Sequence, residues 1–354
     1  MYRCNNGYFV SFTVFIVLSV CFVSPPAVSA WDNHFRLTTS IIKSVDWVNG
    51  FDKVKITPMT YKVEQINETY EFTFKEGNIG DMVSPADILT IYSDEPDWGM
   101  DQNQKLSWQQ TFMGGYEGVG SQGYIHCYYP AGCFSLPVIA MPMGMTPKRL
   151  EQIFGLIEEA VAKGDLYWAF RFSGWCIHYL QDMSQPYHTA QTSKLFYWLK
   201  DGPKHIVSGT TTVTGNFHFA YEGFADFYLK DAQAGIDSHQ MIEAIDGTDT
   251  FHTDNVKKLC KKTARASHSL AKDSFSSSRE FFGDKFYSSE DLDAVDEDYL
   301  ATGWCDSKEK LFANTVAAFS IAGKSVRSYL SILRKRIAPV EVKKLDGFKE
   351  LYGY

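Results

Sequence analysis

The chain is poor in several features that would assign a protein quickly to a class. Beyond its first thirty residues it has no apolar run long enough to span a bilayer, and it shows no internal repeat or low-complexity tract. Basic residues are in the minority, with 34 Lys and Arg against 42 Asp and Glu and a formal net charge of -8. These absences exclude a multi-span membrane protein and a repeat architecture, and an acidic chain lacks the basic surface that binds duplex nucleic acid.

The first thirty residues have the pattern of a secretory signal peptide. Arg3 precedes an apolar stretch over residues 8–23, and Val28-Ser29-Ala30 supplies small residues before a cleavage point. We therefore expect residues 1–30 to be removed after Ala30, the protein to be secreted or otherwise extracytoplasmic, and Trp31 to become the new first residue. An uncleaved membrane anchor is the alternative, because the apolar stretch is marginal for a membrane span.

The mature chain would keep an odd number of cysteines, which leaves at least one unpaired in an exported protein. The candidate pairs are Cys127 with Cys133, which would close a small loop, and Cys260 with Cys305, which would join two late helices. Cys176 would then be the free thiol.

The periodicity of apolar residues predicts an all-α fold with one large domain over residues 31–340 and a short C-terminal tail over 341–354. Alternating β-branched and aromatic residues indicate a small β-hairpin near residues 54–74. Helices are expected at residues 36–48, 85–92, 147–163, 165–182, 217–229, 256–275 and 311–334.

The residues that bear on chemistry are concentrated in one short run, from His178 to His188. His178 and Asp182 are four positions apart, which places both side chains on one face of a helix. Pro186 ends that helix, so His188 can address a different point in space. Thirty residues later, His218 and Glu222 repeat the four-residue step. Two such pairs with an additional histidine predict a site for more than one metal ion.

A single His-x-x-x-Asp pair is usually a surface ion pair, so its surroundings decide the interpretation. The helix around His178 is apolar on nearly all sides, with Phe170 and Trp175 among its residues, and is expected to be buried. Burying a histidine and a carboxylate without partners costs several kcal/mol, and a metal ion satisfies both. Polar pairing within the core remains the competing interpretation.

The run His178-Tyr-Leu-x-Asp182-x-x-Gln-Pro-x-His188, followed by His218-x-x-Tyr-Glu222, resembles the zinc-dependent phospholipase C family of bacteria. The single-strand-specific zinc nucleases of fungi and plants are a related branch. The resemblance is strongest over residues 170–230 and implies a multi-helix domain with three zinc ions in one cleft. It also implies that the amino group of the mature N-terminal tryptophan binds one of them.

Carried over residue by residue, the resemblance implies three sets of zinc ligands, with Asp182 as a bridging carboxylate. The first set is Trp31, His34 and Asp182; the second is His126, His178, Asp182 and an upstream aspartate; the third is His188, His218 and Glu222.

Two aspartates compete for the upstream position. Asp97 is followed by an aromatic residue, as in the phospholipases, whereas the context of Asp94 is closer to the nucleases. Asp97 is favoured, and it would also orient the attacking water or take its proton. Tyr129 stands where the family has an acid after the histidine equivalent to His126, and this departure leaves the activity open.

The implied chemistry is hydrolysis of a phosphodiester by a zinc-activated water that attacks phosphorus. The expected substrate is a phospholipid or another phosphodiester, with peripheral contact to a membrane surface and no duplex nucleic acid as a partner. Glu222 favours the phospholipases, because the nucleases usually have an aspartate there. A nuclease of single-stranded nucleic acid and a secreted zinc-binding protein without catalysis remain as alternatives.

Overall fold

The computed structural model describes residues 34–64, 66–102, 125–131, 142, 144–190, 206–235, 238–283, 297–301 and 305–352. The expected signal peptide, Trp31 and Cys133 lie outside these residues. In the part of the chain that is described, no helix combines the length and the apolar character needed to cross a membrane.

The described chain is mostly helical, as the sequence predicts. Its helices are α1 (His34–Lys43), α2 (Asp46–Asn49), α3 (Pro85–Tyr92), α4 (Thr146–Lys163), α5 (Leu166–Asp182), α6 (Ile206–Ala234), α7 (His239–Asp246), α8 (Val256–Phe282), α9 (Glu297–Leu300) and α10 (Asp306–Tyr352). Two 3-10 turns, Glu95–Asp97 and Pro186–His188, follow α3 and α5.

Several helix bounds differ from the prediction. The helix expected at residues 36–48 is interrupted after Lys43, and α7 was not predicted. The last helix continues to Tyr352, so residues 341–352, expected to form a tail, are helical. Helix ends are the part of a sequence-based assignment that tertiary packing most often changes.

The expected hairpin at residues 54–74 is wrong in its pairing. Strand β1 (Val54–Lys55) pairs antiparallel with β2 (Met82–Val83), with Val54 opposite Val83, so the partner strand lies beyond residue 74. The aromatic residues between the strands pack against α5 instead. The ring centroids of Tyr61 and Phe172 are 5.3 Å apart, and those of Phe72 and Trp168 are 5.6 Å apart. Both pairs of rings meet edge to face.

Helix α5 is the centre of the fold, because every one of its 17 residues is buried. Asp165 caps its first turn by accepting a hydrogen bond from the backbone of Trp168. The helix packs against α3, α4 and α10. Gly174 makes the approach to α3 possible, because a Cβ there would lie 2.9 Å from the carbonyl carbon of Tyr92. This packing brings the C-terminal half of α5 against the 3-10 turn Glu95–Asp97.

The cysteine pairing expected between Cys260 and Cys305 is wrong, since both are free thiols. Cys260 is fully buried in α8, whereas Cys305 is exposed just before α10. Cys176 is free, as expected, and Cys127 is free as well.

Candidate metal centre

The last turn of α5 carries the two residues from which the site is built. His178 and Asp182 are both fully buried, and the Nε2 atom of His178 lies 3.4 Å from a carboxylate oxygen of Asp182. The four-residue step therefore places them on one face of a buried helix, as predicted. Because both side chains are buried, their polar atoms need a binding partner.

The first ligand group consists of His34, His178 and Asp182. The Nε2 atom of His34, the first residue of α1, lies 3.4 Å from the other oxygen of Asp182. The rings of His34 and His178 are in contact, with centroids 3.9 Å apart. One candidate ligand atom from each of the three residues lies within 4.8 Å of the others. Trp31, the remaining predicted ligand here, lies outside the described residues.

The second group consists of Asp97, His126 and His178. The Nδ1 atom of His126 lies 3.0 Å from Nε2 of His178, and each lies 3.7 Å from Oδ1 of Asp97. Asp94 has a different role, because its carboxylate accepts a hydrogen bond of 2.8 Å from the backbone of Phe35 at the start of α1. Of the two candidate aspartates, the structure brings Asp97 to the histidines.

The third group consists of His188, His218 and Glu222. The Nε2 atoms of the two histidines are 2.9 Å apart, and Oε1 of Glu222 lies 2.8 Å from His218 and 3.8 Å from His188. Two ligands of a tetrahedral zinc ion lie about 3.4 Å apart. The three side chains therefore have the spacing of ligands that surround one ion.

The three groups form one connected site. His178 belongs to both of the first two groups, and Oδ2 of Asp182 lies 3.0 Å from Nδ1 of His126. Asp182 thus faces a histidine of each of these groups, which is the position that a bridging carboxylate requires. The third group is linked to the first two through the backbone, because Nδ1 of His188 donates to the carbonyl oxygen of His126.

The histidine rings are held by hydrogen bonds on the side away from the cluster. Carbonyl oxygens can only accept, so each bond fixes a proton on the outer nitrogen and leaves Nε2 free to bind an ion. The pairs are His34 Nδ1 with the side-chain oxygen of Gln181 at 2.7 Å, His178 Nδ1 with the carbonyl of Ser93 at 2.8 Å, and His188 Nδ1 with the carbonyl of His126 at 2.7 Å.

Buried atoms without hydrogen bonds show that the residues fit a metal ion. The Nε2 atom of His34 and the Oδ1 atom of Asp182 are buried and have no hydrogen-bond partner. Buried polar atoms are satisfied in more than nine cases in ten, and an unsatisfied one costs about 1–3 kcal/mol. These atoms face one another across the first group, and imidazole nitrogen with carboxylate oxygen is a ligand set that suits zinc.

The side-chain pKa values reflect the concentration of charge. Burial alone would lower the pKa of His126, but the carboxylate of Asp182 raises it to about 10. Burial would raise the pKa of Glu222, yet the charge of His218 and the hydrogen bond from His188 lower it to about 2. The carboxylates of Asp182 and Glu222 are therefore ionised at neutral pH and attract either protons or metal ions to the adjacent histidines.

Three polar residues support the site, and none of them was assigned a role from the sequence, although Gln185 stands within the motif from His178 to His188. Gln181 supports His34, Gln185 donates to Glu222 at 3.1 Å, and Asp101 lies 3.0 Å from Nε2 of His126. Both glutamines lie within the run from His178 to His188, and Gln185 is also a position of the motif that carries the resemblance. Asp101 comes from a separate segment, and only the fold brings it to His126.

The described residues thus place three groups of candidate ligands, all of them buried except the partly exposed Asp97, around the end of one helix, and each group could hold a metal ion. Searches of protein-family models and of curated proteins find no match to this chain. The case for metal binding rests on the geometry and burial of these side chains.

Proposed function

We propose that the protein is a secreted zinc-dependent phosphodiester hydrolase of the phospholipase C type, with phospholipid as its substrate. The observation that carries the proposal is that three candidate ligand groups are connected, the first two through His178 and Asp182 and the third through the hydrogen bond from His188 to the backbone of His126. Several adjacent divalent ions in one site are the arrangement that hydrolytic enzymes use on phosphate esters. A purely structural metal would be served by one closed group of ligands.

Bound zinc ions would supply an activated water and would offset the negative charge of the phosphate and of the leaving oxygen. The chain supplies the positions of the groups around that reaction. The rings of His34, His126 and His178 are each fixed in orientation by a hydrogen bond, so they need little reorientation when an ion or a substrate arrives.

Asp97 is the carboxylate best placed to act on water. Its side chain is 9 % exposed, whereas Asp182 is fully buried. The Oδ2 atom of Asp97 lies 3.7 Å from Nε2 of His34, and its Oδ1 atom lies 3.7 Å from Nδ1 of His126. The carboxylate therefore lies between the first two groups. From this place it orients a water against a bound phosphodiester and accepts its proton. Asp182, in contrast, is enclosed by histidines and serves only to hold ions.

The acidic composition and Glu222 support phospholipid over nucleic acid as the substrate. A chain with net charge -8 has no excess of cations to neutralise a polynucleotide backbone. The glutamate after His218 also follows the phospholipase pattern. Attack on the phosphorus of a phospholipid would release a diacylglycerol and a phosphomonoester head group.

The proposal is tested with the mature protein that begins at Trp31, assayed on phosphatidylcholine vesicles, a soluble aryl phosphodiester and single-stranded DNA. Each assay is run with and without a chelator, and after zinc is added back. Release of phosphocholine that the chelator abolishes and zinc restores is the expected result. Cleavage of DNA alone would instead favour a nuclease, and retained zinc without any hydrolysis would indicate a binding protein.

A pair of variants separates the role of the site from general damage. Asp97→Asn removes the proposed base from the edge of the cluster, and hydrolysis of phosphatidylcholine should fall at least about a hundredfold, as expected for loss of a general base. Asp254→Asn removes an exposed carboxylate far along the chain and should leave hydrolysis unchanged. Equal activity in the two variants would contradict the proposed role of Asp97.

A further inference from the structure

His126 differs from the other histidines of the site in the group that holds its outer nitrogen. The Nε2 atom of His126 lies 3.0 Å from the carboxylate of Asp101, which is fully buried. A carboxylate can only accept, so Nε2 carries a proton and Nδ1 is left for the cluster. His126 therefore presents Nδ1 to His178 and Asp97, whereas His34 presents Nε2 to Asp182.

The charge of that acceptor is the important difference. His34, His178 and His188 each donate to a neutral amide or carbonyl oxygen. Of these four rings, only His126 has a carboxylate behind it. A charged acceptor forms a hydrogen bond about twice as strong as a neutral one and increases the electron density on the opposite nitrogen of the ring.

Asp101 is braced by two other buried residues. Arg149 donates to its Oδ1 atom at 2.6 Å, and the hydroxyl of Tyr179 donates to its Oδ2 atom. Arg149 also binds the carbonyl oxygen of Glu64 at 2.6 Å, so the guanidinium is fixed on both sides. Because Arg149 belongs to α4 and Tyr179 to α5, the carboxylate is held by both helices that pack behind the site.

Stability alone does not account for this arrangement. A buried ion pair such as Asp101 with Arg149 gains little over an apolar pair of similar volume, because both charges lose their hydration. A carboxylate aimed at the outer nitrogen of a metal-binding histidine has a second use, since it fixes the tautomer and raises the basicity of the ring.

We propose that Asp101 is a positioning residue that fixes the tautomer of His126 and strengthens ion binding at the group Asp97, His126 and His178. This inference rests on the proposed function to the extent that the group binds a metal ion. It assigns Asp101 no contact with the substrate. Its effect passes through His126 and is confined to the ion that His126 binds.

The test measures zinc affinity of the mature full-length protein by competition with a chromophoric chelator. Asp101→Asn keeps the shape of the side chain and removes its charge. One ion should bind about 10- to 100-fold more weakly, which is the usual effect of losing such a partner, while the other sites keep their affinity. Unchanged affinity at every site would overturn the proposal.

A matched variant controls for loss of stability. Ile153 lies one turn after Arg149 on α4, is fully buried in the hydrophobic core, and has an apolar side chain that cannot bind an ion. Ile153→Ala should lower the free energy of unfolding through a cavity, and zinc affinity should stay within about twofold of the unaltered protein. A loss of affinity in Ile153→Ala equal to that in Asp101→Asn would show that the effect is general, and would overturn the specific role of Asp101.

A second measurement needs no change at Asp101 and therefore holds even if Asp101→Asn fails to fold. The 15N chemical shifts of the histidine rings report which nitrogen carries the proton, and the signals of His126 are identified by their loss in His126→Gln. In the zinc-loaded protein, Nε2 of His126 should be protonated. Protonation of Nδ1 instead would overturn the proposal.

The outcomes separate this inference from the proposed function. A mature protein that takes up no zinc overturns both, because no ion is then bound at His126. A protein that binds zinc and hydrolyses phosphatidylcholine, but whose affinity does not respond to Asp101→Asn, overturns only the role of Asp101. Zinc binding that weakens in Asp101→Asn without any hydrolysis supports the role of Asp101 and overturns the hydrolase.

Discussion

The Nε2 atom of His178 lies 3.0 Å from the Nδ1 atom of His126, and the opposite nitrogen of each ring is already engaged. Ser93 accepts from His178, and Asp101 accepts from His126. Two ring nitrogens that face each other with their lone pairs need a cation between them. In the absence of a metal ion that cation is a proton, so protons and metal ions compete for the same place.

The first prediction follows from this competition. The pKa of His126, which burial would lower and Asp182 raises to about 10, leaves its ring protonated at neutral pH when no ion is bound. Zinc must displace that proton, so its apparent affinity should increase with pH by about tenfold per unit for each proton released. Chelator competition at pH 6, 7, 8 and 9 measures the slope. The exposed His252, changed to Ala, serves as the control and should not alter it.

A second prediction separates the ion sites by their carboxylates. Asp182→Asn weakens a shared ligand, because the oxygens of Asp182 face both His34 and His126. Elemental analysis should find two ions lost. Glu222→Gln alters only the third group and should lose a single ion. Full zinc content in Asp182→Asn would contradict the shared role of that carboxylate.

A third prediction concerns the close contact between α5 and α3. A Cβ at Gly174 would lie 2.9 Å from the carbonyl carbon of Tyr92 and 3.2 Å from the backbone nitrogen of Ser93. Because these are backbone atoms, the helices must separate, and Gly174→Ala should cost about 1–3 kcal/mol in the free energy of unfolding. Urea denaturation measures the change. Gly155 on α4 has no atom within 4 Å of its added Cβ, so Gly155→Ala should be neutral or stabilising.

A fourth prediction addresses the buried carboxylate that precedes Asp97 in its 3-10 turn. Glu95 accepts hydrogen bonds from Arg171, from the indole of Trp175 at 2.6 Å and from the hydroxyl of Tyr70 at 2.9 Å. Glu95→Gln leaves the fully buried guanidinium of Arg171 without its counter-charge. The free energy of unfolding should fall by about 3–5 kcal/mol.

An exposed pair is the comparison for this effect. Glu159 and Lys163 form an ion pair one turn apart on α4, with both side chains about half exposed. Glu159→Gln should cost less than about 0.5 kcal/mol, because solvent screens the pair. Urea denaturation of both variants checks the contrast, and similar losses would show that the charge of Glu95 is not what stabilises the turn.

The sequence was informative where local spacing determines geometry. The four-residue step from His178 to Asp182 and the apolar residues around it predicted a buried helix with a histidine and an aspartate on one face, and α5 has this form. The proline after it predicted that His188 leaves the helix axis, and a 3-10 turn begins at Pro186. These features depend on residues within one or two turns of one another.

The sequence was uninformative where distant segments meet. Strand β1 pairs with Met82–Val83 across a long loop, and alternation within residues 54–74 could not reveal that partner. Asp101 reaches His126 only because α4 and α5 pack together and fix Arg149 and Tyr179 around it. The spacing of residues along the chain does not predict contacts between distant segments, so the residues that support the site can be identified only from the fold.

The last prediction tests Trp31, which the expected cleavage after Ala30 would place at the N-terminus. His34 begins α1, and its Nε2 atom is buried without a hydrogen-bond partner. Three residues span at most about 10–11 Å, so the amino group of Trp31 is within reach of the first ligand group. An added Met before Trp31 moves the amino group away and should remove one zinc ion and most of the activity. Trp31→Phe keeps the amine and should retain all ions, since the backbone is the ligand. Elemental analysis of the two proteins decides the point, because full zinc content in the extended protein would exclude the amine of Trp31 from the site.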